Sequence, residues 1–165
     1  MRAPCYPWEL QALVSGRPTV GWLMDLCEEN YHHLSRMAPA LRTLKGRYVS
    51  SLDSTIDLHL EILEQTPYTT LIHLTYFFSH SENRLPDPDA QVRIYHDSRQ
   101  AEVVDLAQRA LPLNMGVERP TMEQKWRVNL FLSKWLSYCV QQGHRFLLSE
   151  HATMPGPGHD VRELC

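Results

Sequence analysis

Arg93, Tyr95, His96, Asp97 and Glu102 crowd into two short stretches, Val92-Arg-Ile-Tyr-His-Asp97 and Ala101-Glu-Val103. A guanidinium grips a carboxylate or phosphate through two parallel N–H bonds, and a nearby phenol adds another hydrogen bond. An imidazole beside a carboxylate is half of an acid–base pair, because the carboxylate fixes the ring tautomer and raises its basicity. The spacing reads as a β-hairpin, 90–97 and 100–108, turning at Ser98-Arg99. That pairing sets His96 against Ala101, Tyr95 against Glu102 and Ile94 against Val103. Arg93, Tyr95 and Glu102 then share one face and His96 takes the other. Two plainer roles compete: Glu102 can neutralise Arg93 across the hairpin, worth about 0.2–1 kcal/mol, and Asp97 can close the turn on backbone amides.

A second constellation pairs His59 with His73 across an earlier hairpin, with Asp57 and Glu61 on the same face. Converging imidazoles and a carboxylate can share a zinc or nickel ion, but no HxH or HExxH spacing accompanies them, and neither a metal nor another cofactor is expected. No serine lies in a GxSxG elbow and no glycine-rich loop is present to cradle phosphate. Cys27 and Cys139 fall on apolar stripes where a thiolate is suppressed, so nucleophilic catalysis has no candidate. Trp126, Trp135 and Tyr138 on the last helix could form a partner surface, although aromatics at helical spacing usually belong to a core. Asn129, flanked by Val128 and Leu130 beside the apolar stripe, is expected to bond the backbone of a strand or turn.

The elements that must position these residues follow from hydrophobic periodicity. Residues 1–18 carry prolines and no period and read as an irregular lead-in. Thr19 is a helix N-cap, and Val20, Leu23, Met24, Cys27, Tyr31, Leu34 and Ala38 recur at helical spacing until Pro39, with Asp25, Glu28, Glu29 and Asn30 off the stripe. From Arg47 to Leu106 the period becomes two. Ile56, Leu58, Leu60 and Ile62 alternate with Thr55, Asp57, His59 and Glu61. Closing a hairpin over Gln65-Thr66-Pro67 pairs Ile62 with Thr70, Leu60 with Ile72 and Leu58 with Leu74. The stretch 79–89 reads as a loop and 112–120 as irregular. Thr121 caps a long helix whose apolar side is Met122, Val128, Phe131, Leu132, Trp135, Leu136 and Cys139, and which Gly143 ends. Residues 144–165 have the composition of a flexible tail.

Strands grouped between two helices imply an α+β domain over 19–143. The expected architecture is an antiparallel meander of about four or five strands, with the N-terminal and C-terminal helices packed on one face. The other face is left to water. With 165 residues, 43% of them hydrophobic, the chain suits a single domain that needs no disulfide staples. A net charge of −3 creates no field that draws nucleic acid or an anionic membrane, and the basic stretch 36–47 is short enough to be a solvated turn. Cys5, Cys27, Cys139 and Cys165 lack CxxC spacing and read as reduced thiols of a cytoplasmic protein. No run approaches the roughly 18 apolar residues of a membrane span, and the first residues have no apolar signal region.

Four stretches together carry a family resemblance: Leu26-Cys-Glu-Glu-Asn-Tyr31, Glu64-Gln-Thr-Pro-Tyr-Thr-Thr70, Arg93-Ile-Tyr-His-Asp97 with Ala101-Glu-Val103, and Asn129-Leu-Phe-Leu-Ser-Lys-Trp-Leu-Ser-Tyr-Cys139. In them the chain resembles the YqiB-like family of small bacterial proteins, a domain of unknown function. The family's pattern maps onto Glu28, Asn30, Tyr68, Arg93, Tyr95, His96, Asp97, Glu102, Asn129, Trp135 and Tyr138, and it does not call for histidine at positions 59 and 73. What the resemblance implies is a cytoplasmic protein without an assigned activity, often encoded beside enzymes of nucleotide metabolism.

The expected function is that of a non-enzymatic binding or regulatory domain, monomeric or weakly dimeric. Arg93, Tyr95, His96, Asp97 and Glu102 would contact a protein partner or a small anionic, nucleotide-like ligand. The alternative is a hydrolase or transferase acting on a phosphorylated small molecule, with His96 as general base beside Asp97 and Glu102, and Arg93 on the anion. That alternative requires His96, Arg93 and Glu102 to converge on one cavity within about 4–6 Å.

Overall fold

A computed structural model describes residues 19–53, 55–77, 86–107 and 121–148. Helix α1 (Val20–Met37) starts where the Thr19 hydroxyl accepts the Trp22 amide at 3.3 Å. A 3₁₀ turn (Leu41–Thr43) leads into five strands, β1 (Arg47–Ser50), β2 (Leu58–Gln65), β3 (Thr69–Phe77), β4 (Pro86–Tyr95) and β5 (Gln100–Ala107). Each pairs antiparallel with the next, in chain order. Helix α2 (Met122–Gln142) opens with a reciprocal capping box between Thr121 and Gln124. It closes at Gly143, whose φ of 96° only glycine adopts without strain.

The molecule is therefore α+β, as the alternating and helical periods imply. One sheet face carries the buried residues Leu58, Leu60, Ile72, Leu74, Ala90, Val92, Ile94, Ala101 and Val103. These join Leu34, Met37, Val128, Leu132, Trp135 and Leu136 of the helices in a single core.

Several sequence expectations shift. The buried side of α1 is Leu26, Cys27, Asn30, His33, Leu34 and Met37, while Val20 and Met24 are 58% and 51% exposed. The stripe is rotated because α1 must serve α2 and β5 together. In the β2–β3 hairpin Ile62 faces Ile72, Leu60 faces Leu74 and Leu58 faces Tyr76. This is two residues from the expected register, with the buried face unchanged because the side-chain period is two. The slip comes from a four-residue turn, Thr66–Thr69, held by Thr66 N–H to Thr69 O at 2.9 Å and Thr69 N–H to Thr66 Oγ1 at 3.0 Å. A bulge before Glu64 accompanies it.

The β4–β5 hairpin slips likewise: Tyr95 faces Gln100, Ile94 faces Ala101 and Arg93 faces Glu102. His96 joins the turn, and Arg99 takes a φ of 53°. Strand β4 begins at Pro86, inside the stretch expected to be loop, and Arg47–Ser50 forms a strand that alternation alone did not separate. The expected lead-in 1–18, most of the loop 79–89 and the irregular 112–120 lie outside the described residues.

The domain also runs past Gly143, where a flexible tail was expected. His144 and Phe146 are 1% and 3% exposed. His144 Nδ1 lies 2.9 Å from Ser50 Oγ, and the Phe146 amide donates to Met37 O at 2.7 Å. Residues 149–165 lie outside the described part.

Candidate functional site

The face of the sheet away from the helices gathers Arg93, Tyr95 and Glu102. Arg93 and Glu102 are directly opposed across β4 and β5, and the Tyr95 hydroxyl donates to Glu102 Oε1 at 2.7 Å. Partial burial, with the hydrogen bond to Glu102 and its charge, holds the Tyr95 phenol above its ordinary pKa, so it remains a donor. The Arg93 guanidinium lies close enough to that hydroxyl to act on it in the opposite sense. Among the described residues Arg93 makes no ion pair. The expected neutralisation of Arg93 by Glu102 is thus replaced by a Tyr95–Glu102 bond.

His96 goes elsewhere. It follows Ile94 in strand parity and is buried, with Nε2 2.7 Å from Thr70 Oγ1 and its amide bonded to Tyr68 O at 2.9 Å. The Thr70 hydroxyl gives its own proton to Gln65 Oε1, so the hydrogen in the His96–Thr70 contact comes from the imidazole. Gln65 continues the chain to Leu41 O at 2.9 Å, and Arg42 donates to Pro67 O at 2.8 Å. His96 therefore ties both hairpin tips to the 3₁₀ turn. Asp97 is exposed on the turn and, among the described residues, reaches His96 only as a charge. The convergence required for a base at His96 and an anion at Arg93 is not formed, because the two residues occupy opposite sides of the sheet.

The paired imidazoles do not form either. His59 opposes Thr75 and His73 opposes Glu61. His59 instead meets the Phe77 ring edge-on at 4.7 Å, while His73 Nε2 bonds Asp89 and its Nδ1 lies 3.9 Å from Glu61. Arg47 holds the same Glu61 at 3.0 Å. Among the described residues no three histidine, cysteine or acidic side chains converge as a metal set. Burial pushes the Cys27 thiol up to about 12 and the Cys139 thiol up to about 11, in keeping with their places on apolar stripes.

An open groove of about 810 Å³ between α1 and α2 escaped sequence reasoning; Glu28, Glu29, His32, His33 and Gln141 help to line it. The signal was there, since Glu28 with His32 and Glu29 with His33 are i,i+4 pairs on one helix. His33 is 9% exposed, and among the described residues neither ring nitrogen is hydrogen bonded. Burial, helped by the charges of Arg36 and His32, pushes it down to about 4, and Glu29 at 3.5 Å does not offset this. Burial also lowers His96 and His144 from the ordinary 6.5.

These shifts have a definite sign. Above pH 6.5 both folded and unfolded chains hold neutral imidazoles; below it the unfolded chain takes up protons that the fold refuses. Stability is therefore expected to fall as the pH drops from about 6.5 to about 4, by at most about 1.4 kcal/mol per pH unit for each histidine. Urea melts at pH 7, 6 and 5 check this, and a midpoint constant across that range refutes it.

The family model for a protein of unknown function, DUF1249, matches residues 33–145. The chain belongs to the DUF1249 family. The matched region of this DUF1249 chain takes in β1–β5 and α2 and begins inside α1 at His33. The chain is also similar to the uncharacterized protein YqiB of Escherichia coli K12, and to its counterparts in strains O6:H1 and O157:H7. Each is 31% identical over 132 residues, covering 73% of this chain and 88% of the relative. No solved structure matches. No helix among the described residues is long and apolar enough to cross a membrane.

Proposed function

We propose that this DUF1249 domain is a cytoplasmic binding or regulatory module that takes a small ligand by its anionic group on the open face of the sheet, at Arg93. The observation that supports this reading is a half-buried arginine with no ion pair among the described residues, beside a carboxylate already committed to Tyr95. The Arg93 guanidinium also hydrogen-bonds the Tyr95 hydroxyl, and its remaining N–H donors can grip a phosphate or carboxylate. The buried thiols of Cys27 and Cys139 suit a reducing compartment.

Thermal shift with inorganic phosphate, ADP-ribose and cyclic nucleotides tests it. A ligand at 100 times its Kd stabilises by about 2.7 kcal/mol, which raises Tm by about 5–10 °C in a domain of this size. The shift is expected in the wild type and absent in Arg93→Gln. A wild type unmoved by every compound, or an Arg93→Gln variant that shifts equally, overturns the reading.

A further inference from the structure

Strict alternation along β5 would bury Asp105, since Ala101 and Val103 both point into the core. It does not. The register between β4 and β5 shifts after the Val92–Val103 pair, so that Val104 is an extra residue and Asp105 stands opposite Gln91, exposed. Leu106 then returns to the core opposite Ala90. Bulges of this kind re-aim a side chain, and they are over-represented next to active sites. Here the re-aimed carboxylate lands on the face and the strand pair that carry Arg93, at the diagonal position, where residues are typically about 7–8 Å apart, within reach of a long side chain.

The other charges around them are committed. Glu102 accepts from Tyr95, Asp89 from His73, and Glu61 from Arg47. The Asp105 side chain makes no hydrogen bond or ion pair among the described residues, and Arg93, whose guanidinium bonds the Tyr95 hydroxyl, does not reach across to it. A cation and an anion held apart on one diagonal, with the Gln91 amide beside them, are complementary to a ligand that carries both charges. We infer that Arg93 and Asp105 form a two-point site for a small zwitterion of the amino-acid or dipeptide class, its carboxylate on Arg93 and its ammonium on Asp105. This rests on the reading of Arg93 as an anion anchor and adds the second half of the ligand.

The test is a set of NMR titrations at low ionic strength, where surface charge is least screened. The probes are L-alanine and dialanine as zwitterions, N-acetylalanine with the carboxylate alone, alaninamide with the ammonium alone, and inorganic phosphate. One of the two zwitterions is expected to bind at least about 10-fold more tightly than either single-charge derivative, the gain usual for a hydrogen bond to a charged group. In Asp105→Asn that advantage shrinks below about 2-fold while phosphate binding is not weakened, because the variant removes a negative charge beside the anion. Asp105 is exposed, so the melting curve of the variant should match wild type and separate lost binding from lost folding. The inference is overturned if N-acetylalanine binds as well as both zwitterions, if no zwitterion binds while phosphate does, or if Asp105→Asn leaves zwitterion binding intact. An Arg93→Gln variant that still binds phosphate like wild type instead brings down the anion anchor beneath it.

Discussion

Asn129→Ala is expected to destabilise the domain by about 2–4 kcal/mol, lowering Tm by roughly 6–15 °C. Asn129 is buried in α2, where its Oδ1 accepts the Val103 amide at 2.9 Å and its Nδ2 donates to Lys125 O at 2.8 Å. From α1, the buried Asn30 Nδ2 donates to Ala101 O at 3.3 Å and approaches Asn129 Oδ1 at 3.4 Å. Two side-chain amides thus supply to the outer backbone of β5 the bonds that a sixth strand would have made. Truncation leaves the Val103 N–H buried without a partner, the more costly side of hydrogen-bond energetics. Leucine at 129 should be no better, because it fills the space and still cannot accept. Amide exchange reports directly: Val103 should be protected in the wild type and lose protection in the variant before the rest of the sheet does. A loss below about 0.5 kcal/mol would show that the amide finds another acceptor.

Phe146→Ala should cost about 3–5 kcal/mol, the usual range for a buried phenylalanine. Phe146 packs into the common core, and its amide pins the C-terminal end of α1 through Met37 O. A chain truncated after Gly143 should lose this and the His144–Ser50 contact together, and unfold at lower denaturant than Phe146→Ala. Urea midpoints compare the two; a truncated chain as stable as wild type would mean that residues 144–148 only rest on the fold.

Which parts of this were legible in the sequence follows from what each signal encodes. Alternation of Leu58, Leu60, Ile72 and Leu74 fixes a buried face, because a slip of two residues leaves every side chain on its own side. It says nothing about which of two registers is used, and both hairpins use the one set by a longer turn. The caps at Thr19, Thr121 and Gly143 were legible because each answers a local demand of helix termini. The α1 stripe was misread because Asn30 looks like a surface residue until a strand edge needs its amide. Asn129 gave the same signal more openly, as a polar residue beside an apolar stripe. In the candidate site, parity brought Arg93, Tyr95 and Glu102 together and sent His96 away. The chemistry of Asp105 depends on a bulge that no periodicity announces, and Phe146 follows the helix-ending Gly143 and leads toward Pro155-Gly-Pro-Gly158, in a stretch whose overall composition resembles a tail.

The asparagine amides on β5 also govern how this molecule can meet its own kind. A sheet grows by recruiting a new strand onto bare backbone, and here one margin already has its recruits, drawn from the helices. At the opposite margin β1 is only four residues long and bears Arg47, a short template with a charge on it. Among the described residues, stacking of copies into fibrils therefore finds only a poor nucleation point at β1 in the native state. The aggregation hazard shifts to any event that withdraws α1 and α2 together and strips the long margin of β5.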